Sequence, residues 1–170
     1  KRIALLFKQL KGLHKQSALW GWFGGKVHQS SLEDGDYITL AALALLHHKG
    51  FIADGGASVP RRPVLTKSLH AITAHKGEIG RILGQYINAT MRSRNPSEEA
   101  TLNSLAQIGR HIAQSMMGDA SKLQPVSQVT LKMRKESKSN TPLVDTGELK
   151  SGMETRTSKS MNPSQHQRIV

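Results

Sequence analysis

Apolar residues near the start of the chain recur at helical spacing: Ile3, Leu5, Leu6, Leu10 and Leu13, with Lys1, Arg2, Lys8, Lys11 and Lys15 between them. The pattern predicts a short amphipathic helix whose last turn is weakened by Gly12. Ser17–Phe23 (SALWGWF) is rich in aromatics and bounded by Gly24-Gly25, which predicts a strand. Residues 28–36 carry turn formers and predict a loop. Thr39 stands where it can cap a second helix, Leu40–His48, with Gly50 as its stop. Leu40, Ala41, Leu43, Ala44, Leu45 and Leu46 make that helix apolar nearly all round, so it is expected to be buried, in the core or against another subunit. Gly55, Gly56, Pro60 and Pro63 predict a loop over residues 53–63.

From Val64 the helical period returns, with Leu65, Leu69, Ile72, Ile79, Leu83 and Tyr86 on one stripe that Lys76 interrupts. Gly77, Gly80 and Gly84 fall inside it, each costing about 1 kcal/mol relative to Ala. They predict either a soft, kinked middle or a close helix crossing. Asn95-Pro96-Ser97-Glu98-Glu99 predicts a fresh start: Asn95 as cap, Pro96 first in the helix, acids in the first turn. Leu102, Leu105, Ile112 and Met116 continue the stripe to a stop at Gly118. Two helices joined at Asn95-Pro96 form a helical hairpin over about 64–118. Residues 119–141 are basic and polar and predict an exposed loop. The expectation is an α+β fold, a small antiparallel sheet with an N-terminal helix and the long hairpin. It forms a single domain over 1–156 and leaves a polar tail over 157–170.

Charge changes this picture. The 170 residues hold 24 Lys+Arg against 12 Asp+Glu, a net +12. Residues 1–26 have six bases and no acid, 27–120 nine and eight, and 121–170 nine and four, so both ends are basic around a near-neutral middle. Such ends contact phosphates without sequence preference and with strong salt dependence. Within Lys132–Thr141, Lys132, Arg134, Lys135 and Lys138 are the candidate contacts to duplex DNA or an acidic partner. Aromatics interleave with bases only in the first thirty positions, which argues against a reader of single strands. The absence of cysteine excludes disulfides, a thiolate zinc site and a Cys nucleophile. No apolar run approaches the ~18 residues of a membrane span, and Lys8 and Lys11 break Lys1–Leu13 too early for a signal peptide.

Candidate chemistry is thin. Leu143-Val144-Asp145-Thr146-Gly147 has the letters of a retroviral-type aspartic protease motif. That chemistry needs two carboxyls sharing a proton and a long β-rich stretch after the motif. Only 25 polar residues follow Asp145. The plainer reading is an Asp cap on a short helix, Thr146–Gly152, with Gly147 allowing close backbone approach. His47-His48 are adjacent and point apart, and His70 and His75 miss the i, i+4 alignment of a metal pair. Gly24-Gly25 and Gly55-Gly56 lack the lysine or fingerprint of a phosphate loop. No catalytic group, metal or cofactor is expected.

Taken in order, four segments resemble the tail-completion and neck protein family of tailed bacteriophages. Gly21-Trp22-Phe23 resembles its Gly-Phe-Phe strand end, and Ala41–Gly50 its Ala-x-x-Ala helix, with His48-Lys49-Gly50 in place of Glu-Phe-Gly. Pro60-Arg61-Arg62-Pro63 resembles its Pro-x-Arg-Pro-Phe segment, with Val64 for Phe. After two helices and a basic loop, Pro142-Leu143-Val144-Asp145-Thr146-Gly147-Glu148-Leu149 resembles its Pro-Leu-(Ile/Val)-Asp-Thr-Gly-x-Leu motif, with Gly152-Met153 for Ser-Ile. The resemblance covers about residues 1–156. It implies a non-enzymatic virion protein, a ring component of the neck that joins the DNA-filled head to the tail and lines the DNA exit path. Pro60, Arg62, Pro63, Asp145, Thr146, Gly147 and Leu149 would be its structural motif residues. Its partners would be further copies of itself, six or a multiple, and neighbouring head-closure, connector and tail-terminator or tail-tube proteins. DNA contact would be non-specific, no membrane is involved, and assembly takes place in the host bacterial cytoplasm. The competing expectation is a basic accessory protein that binds duplex DNA non-specifically as a monomer or dimer.

Overall fold

A computed structural model of the chain describes residues 2–27, 38–53, 56, 58–92, 94–126, 141–143 and 147–158. Helices dominate and the strands are short, an α+β architecture as expected. The chain divides into two compact units, Lys1–Trp20 with Ala71–Arg110 and Thr155–Val170, and Gly21–His70 with His111–Glu154.

The first unit begins with α1 (Arg2–His14), whose Leu6, Leu10 and Leu13 are half-buried. It packs on α4 (Lys76–Met91) through apolar contact and a polar chain. The Thr90 hydroxyl, fully buried, donates to Gln9 Oε1 (2.6 Å), and Gln9 Nε2 donates to Asn95 Oδ1 (2.8 Å). Gln16 Nε2 donates to Glu98 Oε2 (2.6 Å). Strand β1 (Ala18–Gly21) pairs with β4 (Glu154–Thr157), and the Ser158 amide donates to the Ser17 carbonyl (3.0 Å) where the start of one meets the end of the other. The strand is shorter than the Ser17–Phe23 run suggests. Helix α5 (Glu98–Met116) presents Leu102, Ala106 and Ile108 as buried residues of this unit, with Tyr86 from α4. Trp20 on β1 lies flat against Gly109 of α5, so closely that a methyl group there would overlap the indole.

The start of α5 differs from expectation. Ser97, not Asn95, is the cap: its hydroxyl accepts from the Ala100 amide (3.1 Å) and its carbonyl from the Thr101 amide (3.1 Å). Asn95 is drawn off to Gln9, and Pro96 precedes the helix. The glycines also behave differently. Helix α3 (Val64–Ala71) tightens into a 3-10 turn, Ile72–His75, ahead of Gly77, and α4 then runs regularly through all three glycines. A Cβ on Gly77, Gly80 or Gly84 would meet nothing within 4 Å among the described residues, so none of these glycines serves a close crossing there.

In the second unit, Thr39 caps α2 (Leu40–Lys49) by accepting from the Ala42 amide (3.1 Å), and the Gly50 amide closes it on the Leu46 carbonyl (2.8 Å). The expected loop over 53–63 instead contains half of a small antiparallel hairpin. Phe51 and Ile52 of β2 (Phe51–Ile52) pair with Val59 and Ser58 of β3 (Ser58–Val59). An aromatic, an Ile and a Val at the strand positions outweigh the flanking glycines. Leu40, Val64, Ile112, Ala113, Met116, Met117, Leu123, Val126, Leu143, Leu149 and Met153 are this unit's buried apolar residues. Leu123 and Val126 thus bury the start of a segment expected to be exposed; residues 127–140 lie outside the described ones, as do 28–37 and 159–170.

Gly109→Ala is expected to displace Trp20 and to cost about 1–3 kcal/mol by overpacking. A thermal midpoint equal to that of the parent, followed by circular dichroism, would show that the indole does not rest on this backbone.

Candidate functional site

The motif residues of the second unit are fastened to one another. Pro60 follows β3, and the Arg62 amide donates to the His47 carbonyl (2.7 Å) at the end of α2. The Arg62 side chain is 4% exposed; Nε donates to the Gln124 carbonyl (2.8 Å) and an Nη to the Pro125 carbonyl (3.1 Å). Pro63 offers its carbonyl to the Lys67 amide (3.0 Å) and so opens α3, while the Lys67 ammonium donates to the Lys122 carbonyl. The pattern Pro-x-Arg-Pro therefore encodes a corner: two prolines limit the backbone, and the arginine between them ties it to two other segments.

The Leu149 motif is tied in the same way. Helix α6 (Glu148–Ser151) starts after Gly147, whose φ of 81° is left-handed. An L side chain there costs roughly 1–2 kcal/mol. A Cβ would meet nothing within 4 Å, so the need for glycine is conformational and not one of close approach, a correction to the sequence reading. The helix is four residues long, shorter than Thr146–Gly152, and Asp145 and Thr146 lie outside the described residues. Leu149 is buried, and its carbonyl accepts from Trp22 Nε1 (2.7 Å). Gly152 sits against the Leu40 side chain, where α6 meets α2. The Gly118 amide donates to the Pro142 carbonyl (2.8 Å), and Lys26 Nζ pairs with Glu154 Oε1 (2.6 Å).

Lys132, Arg134, Lys135 and Lys138, the expected DNA or partner contacts, also lie outside the described residues. Among the described residues no cluster of His, Asp and Glu is placed to hold a metal ion. His47 meets the Phe51 ring edge-on at 5.7 Å, and His75 Nδ1 lies 3.6 Å from Glu78 Oε2. No described helix is long and apolar enough to cross a membrane.

Apolar surface is what remains uncovered. In the first unit Ile3 and Phe7 on α1 are more than 60% exposed, and Ile87 and Met91 share the glycine face of α4. In the second, Leu45, Leu46, Ile52 and Leu69 are exposed. The α2 helix, expected to be buried, therefore buries only Leu40 within this chain. A groove of about 580 Å³ runs between α4 and α5, lined by Glu78, Arg81, Ile82, Tyr86, Ala100 and Gln107 among others. Tyr86 is 2% exposed, and among the described residues its hydroxyl has no hydrogen-bond partner. Burial, and then the Glu98 carboxylate, push the Tyr86 phenol above its ordinary value. Tyr86 stands in the sequence only as a stripe residue and Gly109 not at all, because a hydroxyl buried without a partner and an indole laid on a glycine leave no local pattern.

Comparison of the chain with protein-family models, with curated proteins and with solved structures finds no match.

Two outcomes follow from the buried groups. Arg62→Ala should cost about 2–4 kcal/mol, since it removes a buried side chain together with its charged hydrogen bonds to two backbone carbonyls. Arg62→Lys should recover only part of this because one ammonium lacks the fork that reaches both. The exposed neighbour Arg61 should tolerate Ala within about 0.5 kcal/mol in the same denaturant titrations. For Tyr86, the unfolded phenol ionises near pH 10 and the folded one later. Stability is therefore intact below pH 10 and falls as pH rises toward the folded value. Tyr86→Phe should lose that alkaline component; identical alkaline profiles for parent and variant would contradict the assignment.

Proposed function

We propose that the chain is a structural subunit of a tailed-phage virion neck, a ring component that joins the DNA-filled head to the tail. The observation that carries this reading is the mutual fastening of the four segments on which the family resemblance rests. Trp22 is bonded to Leu149, Arg62 to the end of α2, and Leu40 is packed on Gly152. The described motif residues hold a shape, tied to one another by hydrogen bonds and packing. A protein whose distinctive residues are spent on shape works through its surfaces.

Those surfaces fit assembly. Exposed Ile3, Phe7, Leu45, Ile52 and Leu69 lack an apolar cover among the described residues. Copies related by rotation supply it, six or a multiple in a neck, each interface weak alone and strong when repeated. Neighbouring head-closure, connector and tail proteins supply the axial contacts. Residues 1–26, with six bases and no acid, give the ring a positive field toward the DNA that passes through it. Such contact stabilises the exit path without reading sequence.

The test is genetic. Particles made without this protein should yield DNA-filled heads and separate tails that do not join, seen by negative-stain microscopy. Removing residues 158–170 should reduce joining more than it reduces thermal stability. Normal infectious particles without the chain would refute the reading, as would a neck map showing one asymmetric copy.

A further inference from the structure

We propose that duplex DNA is held on the first unit, by Lys8, Lys11 and Lys15 along α1 together with Arg92 and Arg94 of the segment between α4 and α5. The inference deepens the ring reading above, on which it rests for the DNA, and names the surface that meets it.

Charge divides more sharply in space than along the chain. The segments of the first unit hold 13 Lys+Arg against three acids, and those of the second hold 11 against nine. The middle of the sequence is near neutral only because it mixes the two. Residues 79–97, all in the first unit, carry Arg81, Arg92 and Arg94 and no acid, just as residues 1–26 carry none.

Hydrogen bonds bring these two acid-free stretches together. Gln9 accepts from the Thr90 hydroxyl (2.6 Å) and donates to Asn95 Oδ1 (2.8 Å). The residues on both sides of Arg92 and Arg94 are therefore tied to α1 at the position next to Lys8. Lys8, Lys11 and Lys15, spaced by three and four, form one row about 10 Å long. All five bases are exposed, and among the described residues none of them forms an ion pair. Two of the unit's three acids are already engaged: Glu78 stands beside His75 (3.6 Å), and Glu98, against Gly12, accepts from Gln16 Nε2 (2.6 Å). Bases of one sign with no acid between them suit a polyanion of even charge, and a duplex carries one phosphate charge per ~1.7 Å of axis. Exposed side chains of this kind meet phosphates and read no sequence.

The full-length protein, titrated with a labelled mixed-sequence duplex, reads the contact by fluorescence anisotropy. Five phosphate contacts predict a log–log salt slope of about −4.5, so affinity should fall about 500-fold between roughly 50 and 200 mM salt. Arg92→Gln with Arg94→Gln should flatten the slope by roughly two and cut that fall to about 40-fold. Lys11→Gln with Lys15→Gln should do the same, and both pairs should keep the parent's thermal midpoint. Lys49→Gln with Arg61→Gln, exposed bases of the second unit, should leave the slope unchanged. If Arg92→Gln with Arg94→Gln binds as the parent does, or if only neutralising Lys132, Arg134, Lys135 and Lys138 flattens the slope, this surface is not the contact and the ring reading stands. If the duplex is not bound but vesicles of phosphatidylglycerol and phosphatidylcholine are, and Phe7→Glu releases them, α1 belongs to a lipid surface and the proposal is overturned. If the slopes come out as expected while particles lacking the chain assemble normally, the contact holds and the ring reading falls.

Discussion

A guanidinium removed from water has to find acceptors, and Arg62 finds two in backbone carbonyls, those of Gln124 and Pro125. The desolvation cost of such a group is several kcal/mol, so its geometry is tightly held once it is buried. Its own amide is held by the carbonyl of His47. One residue therefore fixes the exit from α2, the corner that opens α3, and the segment that follows α5. Four of this unit's buried apolar residues, Leu40, Val64, Leu123 and Val126, come from the same elements that this residue joins. Their packing presupposes the corner. A lysine or an aliphatic side chain could fill part of the space, but neither presents donors in two fixed directions.

How much of this was legible in the sequence depends on whether the signal was local. Thr39 and Gly50 bracket α2 because capping is decided within four residues. Gly147 could be singled out because its neighbours spell a motif, although the reason for glycine is the sign of φ and not the space around it. Asn95 was misread since two good caps lie two residues apart; the choice of Ser97 is made by Gln9, 86 residues away in sequence, which takes the Asn95 side chain. The β2–β3 hairpin is too short to show a period. Gly109 is an ordinary helix-weakening glycine until Trp20 is laid against it. The apolar wheel of α2 offers a surface that needs cover, but sequence alone does not show that Leu40 is its one buried residue.

The division of labour between the two units follows from their composition. The second unit contains all four motif segments and most of the buried apolar residues, so its stability comes largely from burial. The first buries little and is joined through polar side chains: Gln9, Gln16, Thr90, Asn95 and Glu98.

The chain Thr90–Gln9–Asn95 has a consequence for the uniqueness of the fold. Leu6, Leu10 and Leu13 repeat almost once per helical turn, so apolar contact with α4 would accept α1 nearly as well if it slid by about one turn, roughly 5.4 Å. Apolar surfaces of that kind are degenerate. The polar chain is not, because only one alignment places Gln9 between a hydroxyl on α4 and the Asn95 amide ahead of α5. A slid helix would turn a leucine onto Thr90, whose hydroxyl would fall back on the Tyr86 carbonyl of its own helix (3.0 Å), and would strand the glutamine in apolar contact. The three side chains thus act as a register pin: they add little to the total stability, yet they decide which of several nearly equal packings is populated.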